Sequence, residues 1–296
     1  MITVKSYLQL MRPANIMTAI TDVLAGAAIA RLYSDAPDGA PEWSALFLLT
    51  LSTIGLYGGG VVFNDVFDAE LDAKERPERP IPSGKVSRRN ASLLGIGLFL
   101  IGVVAAGLAG MLSGAIAVAV VMMCLVYDRW AKHHGMAGPL AMGLCRGLNL
   151  LLGISYMVGV ATSIWPLAAI PVLYIAAVTT ISRGEVHGGR RGPLVLSAAG
   201  YALVIGLIAY FGVVRGADNF GAVMLVLFGL FVYPPLLRAI RSLSALDIRK
   251  SVKRGVLGLI FMNAAWTAAS GQWQLTVAVL SLFPISIWLS KLFSVT

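Results

Sequence analysis

The chain has 296 residues, of which 58% are hydrophobic and 12% charged, and its formal net charge is +9. This charged fraction is about half that of an average soluble domain, which excludes an ordinary water-soluble fold. The positive charge does not require a nucleic-acid partner, because basic loops are also a signature of membrane topology.

Apolar runs of roughly membrane-spanning length recur along the whole chain. They occupy residues 14–31, 44–63, 91–110, 113–127, 138–160, 164–181, 194–214 and 219–237, followed by two shorter runs at 255–269 and 274–290. Their length and their Gly and Ala content favour closely packed helices over barrel strands. We therefore predict an all-α, polytopic membrane bundle of about nine or ten transmembrane helices, forming one domain over residues 1–296. The first run follows a basic lead without a convincing cleavage site, so we expect a permanent helix there.

Lysine and arginine are distributed unevenly between the predicted loops. Most of these residues fall in segments at alternate helix ends, namely 1–13, 64–90, 129–132, 183–191 and 238–254. The loops at the other helix ends hold Arg31 and Arg215. Under the positive-inside rule, this pattern predicts a cell-membrane protein with its N-terminus and all of its charged loops in the cytoplasm.

A cluster of acidic residues follows the second apolar run. Residues 64–72 read Asn-Asp-Val-Phe-Asp-Ala-Glu-Leu-Asp. At about 100° per residue, Asp65, Asp68 and Asp72 fall within roughly 60° of one helix face, so three carboxylates converge. A hard divalent cation best offsets their repulsion, and Mg2+ typically bridges one or two carboxylates to substrate phosphates. The cluster therefore predicts a Mg2+ site that receives a diphosphate.

The sequence after this cluster strengthens the prediction. A solvated acidic helix end would explain any one of the aspartates alone. Here the acidic residues lead into Lys-Glu-Arg-Pro-Glu-Arg-Pro-Ile-Pro-Ser-Gly at 74–84. Prolines end a helix and fix the following loop, which can bring Arg76 and Arg79 toward a phosphate.

With these motifs the chain resembles the UbiA superfamily of intramembrane prenyltransferases. The first motif of that family reads Asn-Asp-x-x-Asp-x-x-x-Asp, followed by Arg-Pro, Pro and Ser-Gly, and residues 64–84 match it closely. Residues 12–15 are similar to the family's Arg-Pro-x-Asn lead, and the stretch from Tyr127 to Lys132 is similar to its tyrosine-to-lysine loop. Residues 143–149 also resemble a family stretch, and the resemblance extends to about residue 192.

The resemblance implies a UbiA-like helical fold, Mg2+ as the cofactor and roles for individual residues. The implied metal ligands are Asp65, Asp68, Asp72 and Glu185. The implied catalytic residues are Asp65, Asp68, Glu185 and Arg146. The implied substrate-binding residues are Asn15, Asn64, Arg76, Arg79, Tyr127, Lys132, Arg146, Asn149, Ser182 and Arg183.

The second acidic motif of the family is incomplete in this chain. Family members carry carboxylates at i, i+3 and i+7 after the sixth helix, and the two motifs together hold two Mg2+ ions. The corresponding residues here are Ser182, Glu185 and Gly189, so one carboxylate remains. Either the first motif holds most of the metal charge, or nearby arginines such as Arg183 replace the second ion, and we favour a combination. Glu185 is then either a metal ligand or the base that accepts a proton from the acceptor.

Arg146 lies within an apolar run, where a charge is costly and marks a functional position that faces the bundle interior. We favour a contact with the substrate or its diphosphate, and a structural ion pair is the alternative. Asn149 and Tyr156 lie on later turns of the same run. They either line an acceptor cavity or form hydrogen bonds between helices.

The predicted activity is transfer of a polyprenyl group from its diphosphate to a small acceptor within the lipid bilayer. The Glu-Val-x-Gly-Gly form of the second motif is similar to a UbiA-like subgroup encoded in Ebo-type clusters, which implies a cyclitol or another polyhydroxy acceptor. An aromatic acceptor of a quinone pathway is the first alternative. A lipid or small-molecule transporter and a catalytically silent relative are further alternatives. The gathering of polar groups at one membrane face argues against the transporter, and the intact first motif argues against the silent relative.

Overall fold

The computed structural model describes residues 4–36, 39, 42–186, 188–213 and 220–293, so Arg215 lies outside the described residues. Within these ranges the chain is almost entirely helical and contains no strand. The helices in chain order are α1 (Val4–Met11), α2 (Pro13–Leu32), α3 (Trp43–Phe67), α4 (Ala69–Glu75), α5 (Arg88–Ala109), α6 (Met111–Arg129), α7 (Ala137–Ile154), α8 (Val158–Ile164), α9 (Ala169–Ser182), α10 (Arg191–Ile208), α11 (Phe220–Ser242), α12 (Ala245–Ala269) and α13 (Trp273–Leu292).

The prediction of a polytopic helical bundle is confirmed. Among the described residues, nine segments are long and apolar enough to cross a membrane, namely α2, α3, α5, α6, α7, α8 with α9, α10 with the turn after it, α11 and α13. Helix α12 is long enough to cross as well, with 25 residues, and its second half is buried inside the bundle. The two shorter apolar runs at the end of the sequence are therefore two separate helices.

Helix α2 occupies the middle of the bundle, where it contacts α3, α7, α12 and α13. The other long helices pack mainly against their neighbours in the chain. Because successive long helices alternate in direction, the loop after α3, the loop after α6 and the turn after α9 lie at the same end of the bundle. We call this the motif end, since it carries the acidic motifs.

Helices α2 and α7 cross with their backbones in contact at Gly26 and Gly153. A Cβ atom on Gly153 would lie 2.2 Å from the carbonyl oxygen of Val23, and one on Gly26 would lie 2.3 Å from that of Leu150. Close approach through small residues is how helices associate where lipid supplies no hydrophobic drive. This crossing fixes the position of Arg146 on α7 relative to α2.

Replacing Gly153 by alanine is expected to destabilise the protein by about 3 kcal/mol or more, because backbone atoms would have to move to admit the new carbon. Gly206→Ala in α10 is the matched control, since nothing lies within 4 Å of the Cβ atom that it adds. Alanine also has the higher helix propensity of the two residues. Unfolding of both variants by SDS in mixed micelles measures the difference. Equal stability of the two variants would contradict the close crossing.

Candidate active site

A cavity of about 320 Å³ lies between α2, α3, α6, α7, α9 and α12 and reaches toward the motif end. Six of the predicted substrate-binding residues line it, namely Asn15, Asn64, Tyr127, Arg146, Asn149 and Ser182. Arg12, Tyr57, Asp128 and Thr179 add further polar groups to the wall. Much of the remaining wall is apolar, as at Leu56, Val120, Ile175, Val256 and Leu259. The cavity thus combines polar groups with walls that suit a hydrocarbon chain.

The first acidic motif spans the junction of α3 and α4. The amide of Asp68 donates to the carbonyl of Asn64 at 3.0 Å, and the amide of Asp72 donates to the carbonyl of Asp68 at 2.8 Å. Helical hydrogen bonding therefore continues across the junction, as the spacing of the aspartates predicts. Asp65 and Asp72 are buried, whereas Asp68 is partly exposed.

The carboxylates of Asp65 and Asp72 share one arginine. The Nη1 atom of Arg79 lies 2.7 Å from Oδ2 of Asp72 and 3.3 Å from Oδ1 of Asp65. Arg12 also donates to Asp65 from the start of α2. The loop after α4 thus brings Arg79 back onto the motif, as its prolines predict.

Asp68 faces a different partner, in the loop after α6. Lys132 donates from Nζ to Oδ1 of Asp68 at 2.6 Å and lies 4.0 Å from Asp128. Asp128 in turn accepts a hydrogen bond of 2.7 Å from Asn64. These contacts join the tyrosine-to-lysine loop to the first motif, and Tyr127 lines the cavity beside them.

The carboxylate pair fits Mg2+ that arrives with a phosphate ligand. Among the described residues, no three Asp, Glu, Cys or His side chains stand together as a ready metal cage. Mg2+ is usually held by one or two carboxylates and takes further oxygens from substrate phosphates. Asp65 and Asp72 provide such a pair, because both reach the same atom of Arg79. Asp68 is paired with Lys132, and the roles of Asp65, Asp68, Asp72 and Glu185 as metal ligands remain predictions.

Glu185 follows α9 and is half-buried at the motif end. Burial raises the pKa of its carboxyl group, and the positive charges of Arg249 and Arg76 oppose this rise. The Nε atom of Arg249 donates to the carbonyl oxygen of Glu185 at 2.8 Å. Arg76 belongs to the loop of the first motif.

Ser182 and Arg183, which precede Glu185 in the chain, have different surroundings. The Ser182 hydroxyl donates to the carbonyl of Thr179 at 2.9 Å, and both residues line the cavity. Arg183 is exposed and donates to the carbonyl of Gly135 in the loop after α6. Ser182 is therefore placed at the cavity, while Arg183 links two loops of the motif end.

Arg146 forms an ion pair inside the bundle with a residue that the sequence analysis did not select. Its Nη1 atom lies 3.2 Å from Oδ2 of Asp22, and its Nη2 atom donates to Thr18 at 2.8 Å. Asp22 is fully buried and also accepts hydrogen bonds from Asn149 at 3.1 Å and from Asn263 at 2.8 Å. These polar contacts join α2, α7 and α12.

Both interpretations of Arg146 have support, because it makes a structural ion pair and also lines the cavity. Its guanidinium carbon lies 5.5 Å from the ring centroid of Tyr57, another cavity residue. Asn149 likewise makes hydrogen bonds to another helix and lines the cavity. Tyr156, in contrast, donates to the carbonyl of Ala27 at 3.4 Å and forms a contact between helices. Asp22 could have been found in the sequence by its charge within an apolar run, which is the feature that selected Arg146.

Comparison with known proteins gives matches across most of the chain. A family model described as the UbiA prenyltransferase family matches residues 23–254. The digeranylgeranylglyceryl phosphate synthase of Methanothrix thermoacetophila is 31% identical over 73% of this chain and 83% of the relative. The synthase of the same name from Ignicoccus hospitalis is 30% identical over 62% of this chain, a match that spans 58% of the relative.

Solved structures show the same fold. A UbiA homologue from Aeropyrum pernix K1 has a TM-score of 0.71 at 19% identity, covering 84% of this chain and 96% of the homologue. A UbiA homologue from Archaeoglobus fulgidus bound to DMAPP and Mg2+ has a TM-score of 0.58 at 16% identity, covering 86% and 99%. These structures show the fold, and the family model and the sequence relatives show the family. The chain is a multi-pass membrane protein that belongs to the UbiA prenyltransferase family, as its motifs predict.

Proposed function

We propose that this protein transfers a polyprenyl group from an allylic diphosphate to a hydroxyl-bearing acceptor and uses Mg2+ for this reaction. The observation that carries the proposal is the buried pair Asp65 and Asp72, which share Arg79 beside a cavity with apolar walls. The Archaeoglobus homologue bound to DMAPP and Mg2+ supports the same class of substrate and the same cofactor. A single domain that covers the chain carries the site, and the positive-inside rule supports a motif end that faces the cytoplasm.

The basic side chains around the motif suit the leaving diphosphate. Negative charge builds on the leaving oxygen as the bond between the allylic carbon and that oxygen breaks. Ion pairs with Asp65, Asp72 and Asp68 already orient Arg12, Arg79 and Lys132, whose side chains are largely buried. Preorganised cations stabilise such a transition state more than the ground state. Bound Mg2+ adds to this by neutralising charge on the phosphates.

The acceptor class rests on the relatives and on the cavity wall. The name of the relatives describes a glyceryl phosphate that carries two geranylgeranyl groups, so a glycerophosphate lipid is the first acceptor to test. A cyclitol or another polyhydroxy compound belongs to the same class, because its hydroxyl oxygen would also attack the allylic carbon. Arg146 supplies a hydrogen-bond donor in the cavity wall for such a molecule. The ring of Tyr57 beside Arg146 favours an aromatic carboxylate as the second candidate.

A reconstituted assay tests the proposal. The full chain in lipid nanodiscs is given labelled prenyl diphosphates of several lengths, each with a glycerophosphate lipid, a cyclitol or a hydroxybenzoate, with and without Mg2+. We expect a prenylated hydroxyl compound that forms only with Mg2+, together with released diphosphate. A prenylated aromatic ring would instead support the second candidate. Failure to bind or release diphosphate in the presence of Mg2+ would rule out the transferase, and lipid movement across proteoliposomes without chemical change would support a transporter.

The same assay separates the two roles proposed for Glu185. A general base contributes roughly 100-fold or more to a rate, so Glu185→Gln should lower turnover by that factor while the affinity for Mg2+ is retained. A parallel fall in Mg2+ affinity would make Glu185 a metal ligand instead. Glu78→Gln removes the same charge from an exposed position in the loop after α4 and is the control.

A further inference from the structure

A second crevice lies between α11 and α12, outside the cavity of the candidate active site. Its volume is about 340 Å³, and four basic side chains line it, namely Arg238 on α11 and Lys250, Lys253 and Arg254 on α12. No Asp or Glu is found among the described residues that line it. Asp247 lies 3.8 Å from Lys250 and offsets one of the four charges. The excess of positive charge creates a positive potential that attracts anions.

The rest of this four-cation crevice is apolar. Leu230, Phe231, Pro234, Pro235 and Leu257 complete its wall. The guanidinium carbon of Arg254 lies 4.4 Å from the ring centroid of Phe231, which holds that charge against the apolar side. An occupant must therefore present an anion and a hydrocarbon surface together.

An apolar face of α11 continues from the crevice. Val223, Val226, Leu227 and Leu230 are exposed, with 66% of Leu230 accessible. Their spacing of three and four residues places them on one side of the helix. Helix α11 is a candidate membrane span, so this side lies against lipid chains. It leads along the helix to the four basic side chains.

We propose that the four-cation crevice binds the phosphate headgroup of an anionic membrane lipid, whose acyl chains lie along the exposed face of α11. Arginine binds phosphate oxygens through two parallel N–H groups, and basic pockets between transmembrane helices suit anionic lipid headgroups. The apolar face distinguishes a lipid from free phosphate. This site shares no residue with the carboxylate pair, so it can be tested whether or not the transferase assay succeeds.

Native mass spectrometry of the detergent-purified full chain tests the proposal with dioleoyl phosphatidic acid, dioleoyl phosphatidylcholine and inorganic phosphate. We expect phosphatidic acid to bind the wild-type chain in preference to both of the others. Arg238→Gln/Arg254→Gln should weaken this binding roughly 30-fold, since it removes two of the charges that attract the headgroup. Arg89→Gln/Arg129→Gln removes two exposed charges on α5 and α6, which contribute no described residue to the crevice, and should bind as the wild type does.

The charge-preserving variant Arg238→Lys/Arg254→Lys should retain most of the binding, which separates loss of charge from loss of fold. Three results would overturn the proposal. The first is equal binding of phosphatidylcholine. The second is an equal loss in the control variant. The third is full competition by inorganic phosphate at the same concentration, which would assign the crevice to free phosphate.

Discussion

Asp65→Asn is expected to lower kcat/KM for the prenyl diphosphate by about 100-fold or more. The change keeps the shape of the side chain but removes one of the two buried charges that share Arg79. If these charges hold Mg2+ on the leaving group, their loss costs several kcal/mol of transition-state stabilisation, and about 3 kcal/mol corresponds to 100-fold. Turnover measured across a Mg2+ titration should show weaker metal dependence as well as a lower maximum.

Glu70→Gln is the matched control for this experiment. Glu70 lies in the same acidic segment, but its side chain is 90% exposed and lies 3.5 Å from the exposed Arg88. This substitution should leave activity near the wild-type value, since a surface ion pair of this kind contributes little. Wild-type activity in both Asp65→Asn and Asp72→Asn would show that the carboxylate pair is not the metal site.

Breaking the ion pair between Asp22 and Arg146 should produce the largest loss of stability. Removing one partner of a buried pair leaves the other charge uncompensated, at a cost of about 3–5 kcal/mol. Asp22→Asn and Arg146→Met should each show a loss of this size when the protein is unfolded by SDS in mixed micelles. The double variant should regain a substantial part of the stability, because neither charge is then left alone.

The double variant also separates the two interpretations of Arg146. If Arg146 only stabilises the bundle, Asp22→Asn/Arg146→Met should regain activity along with stability. We expect stability to return while activity stays low, since Arg146 lines the cavity as well as contacting Asp22. Additive losses in the double variant would contradict the coupling between the two residues.

The fold could be predicted from the sequence because the thickness of the bilayer requires long apolar runs, and such runs can be recognised without knowing any tertiary contact. Helix α12 shows where this reasoning stops. Its apolar run began at residue 255, whereas the helix begins at Ala245 with Ser244 as its N-cap. The ten added residues include four basic side chains, which lower the hydropathy of that half without interrupting the helix.

The candidate site was predictable where its contacts are local. The spacing of Asp65, Asp68 and Asp72 predicts a shared face, and the prolines after them predict the return of Arg79. Asp65 and Asp72 do meet at Arg79, whereas Asp68 contacts Lys132, so the predicted convergence of all three carboxylates is wrong for Asp68. The family resemblance named Lys132 as a substrate-binding residue, but no spacing in the sequence predicts its contact with Asp68, which lies in a separate loop. The contact between Asp22 and Asn263 spans 241 residues. No periodicity links these two residues, and the one sequence signal for Asp22, the cost of a charge within the membrane, was not used to select it.

The burial of Asp22 in the central helix has a consequence for biosynthesis. Translation delivers α2 to the membrane long before its hydrogen-bond partners, since Asn149 follows Asp22 by 127 residues and Asn263 follows it by 241. Until those helices are made, the carboxyl group has to remain protonated or hydrated, because an isolated carboxylate in hydrocarbon is costly. The central helix is therefore among the last to reach its final surroundings.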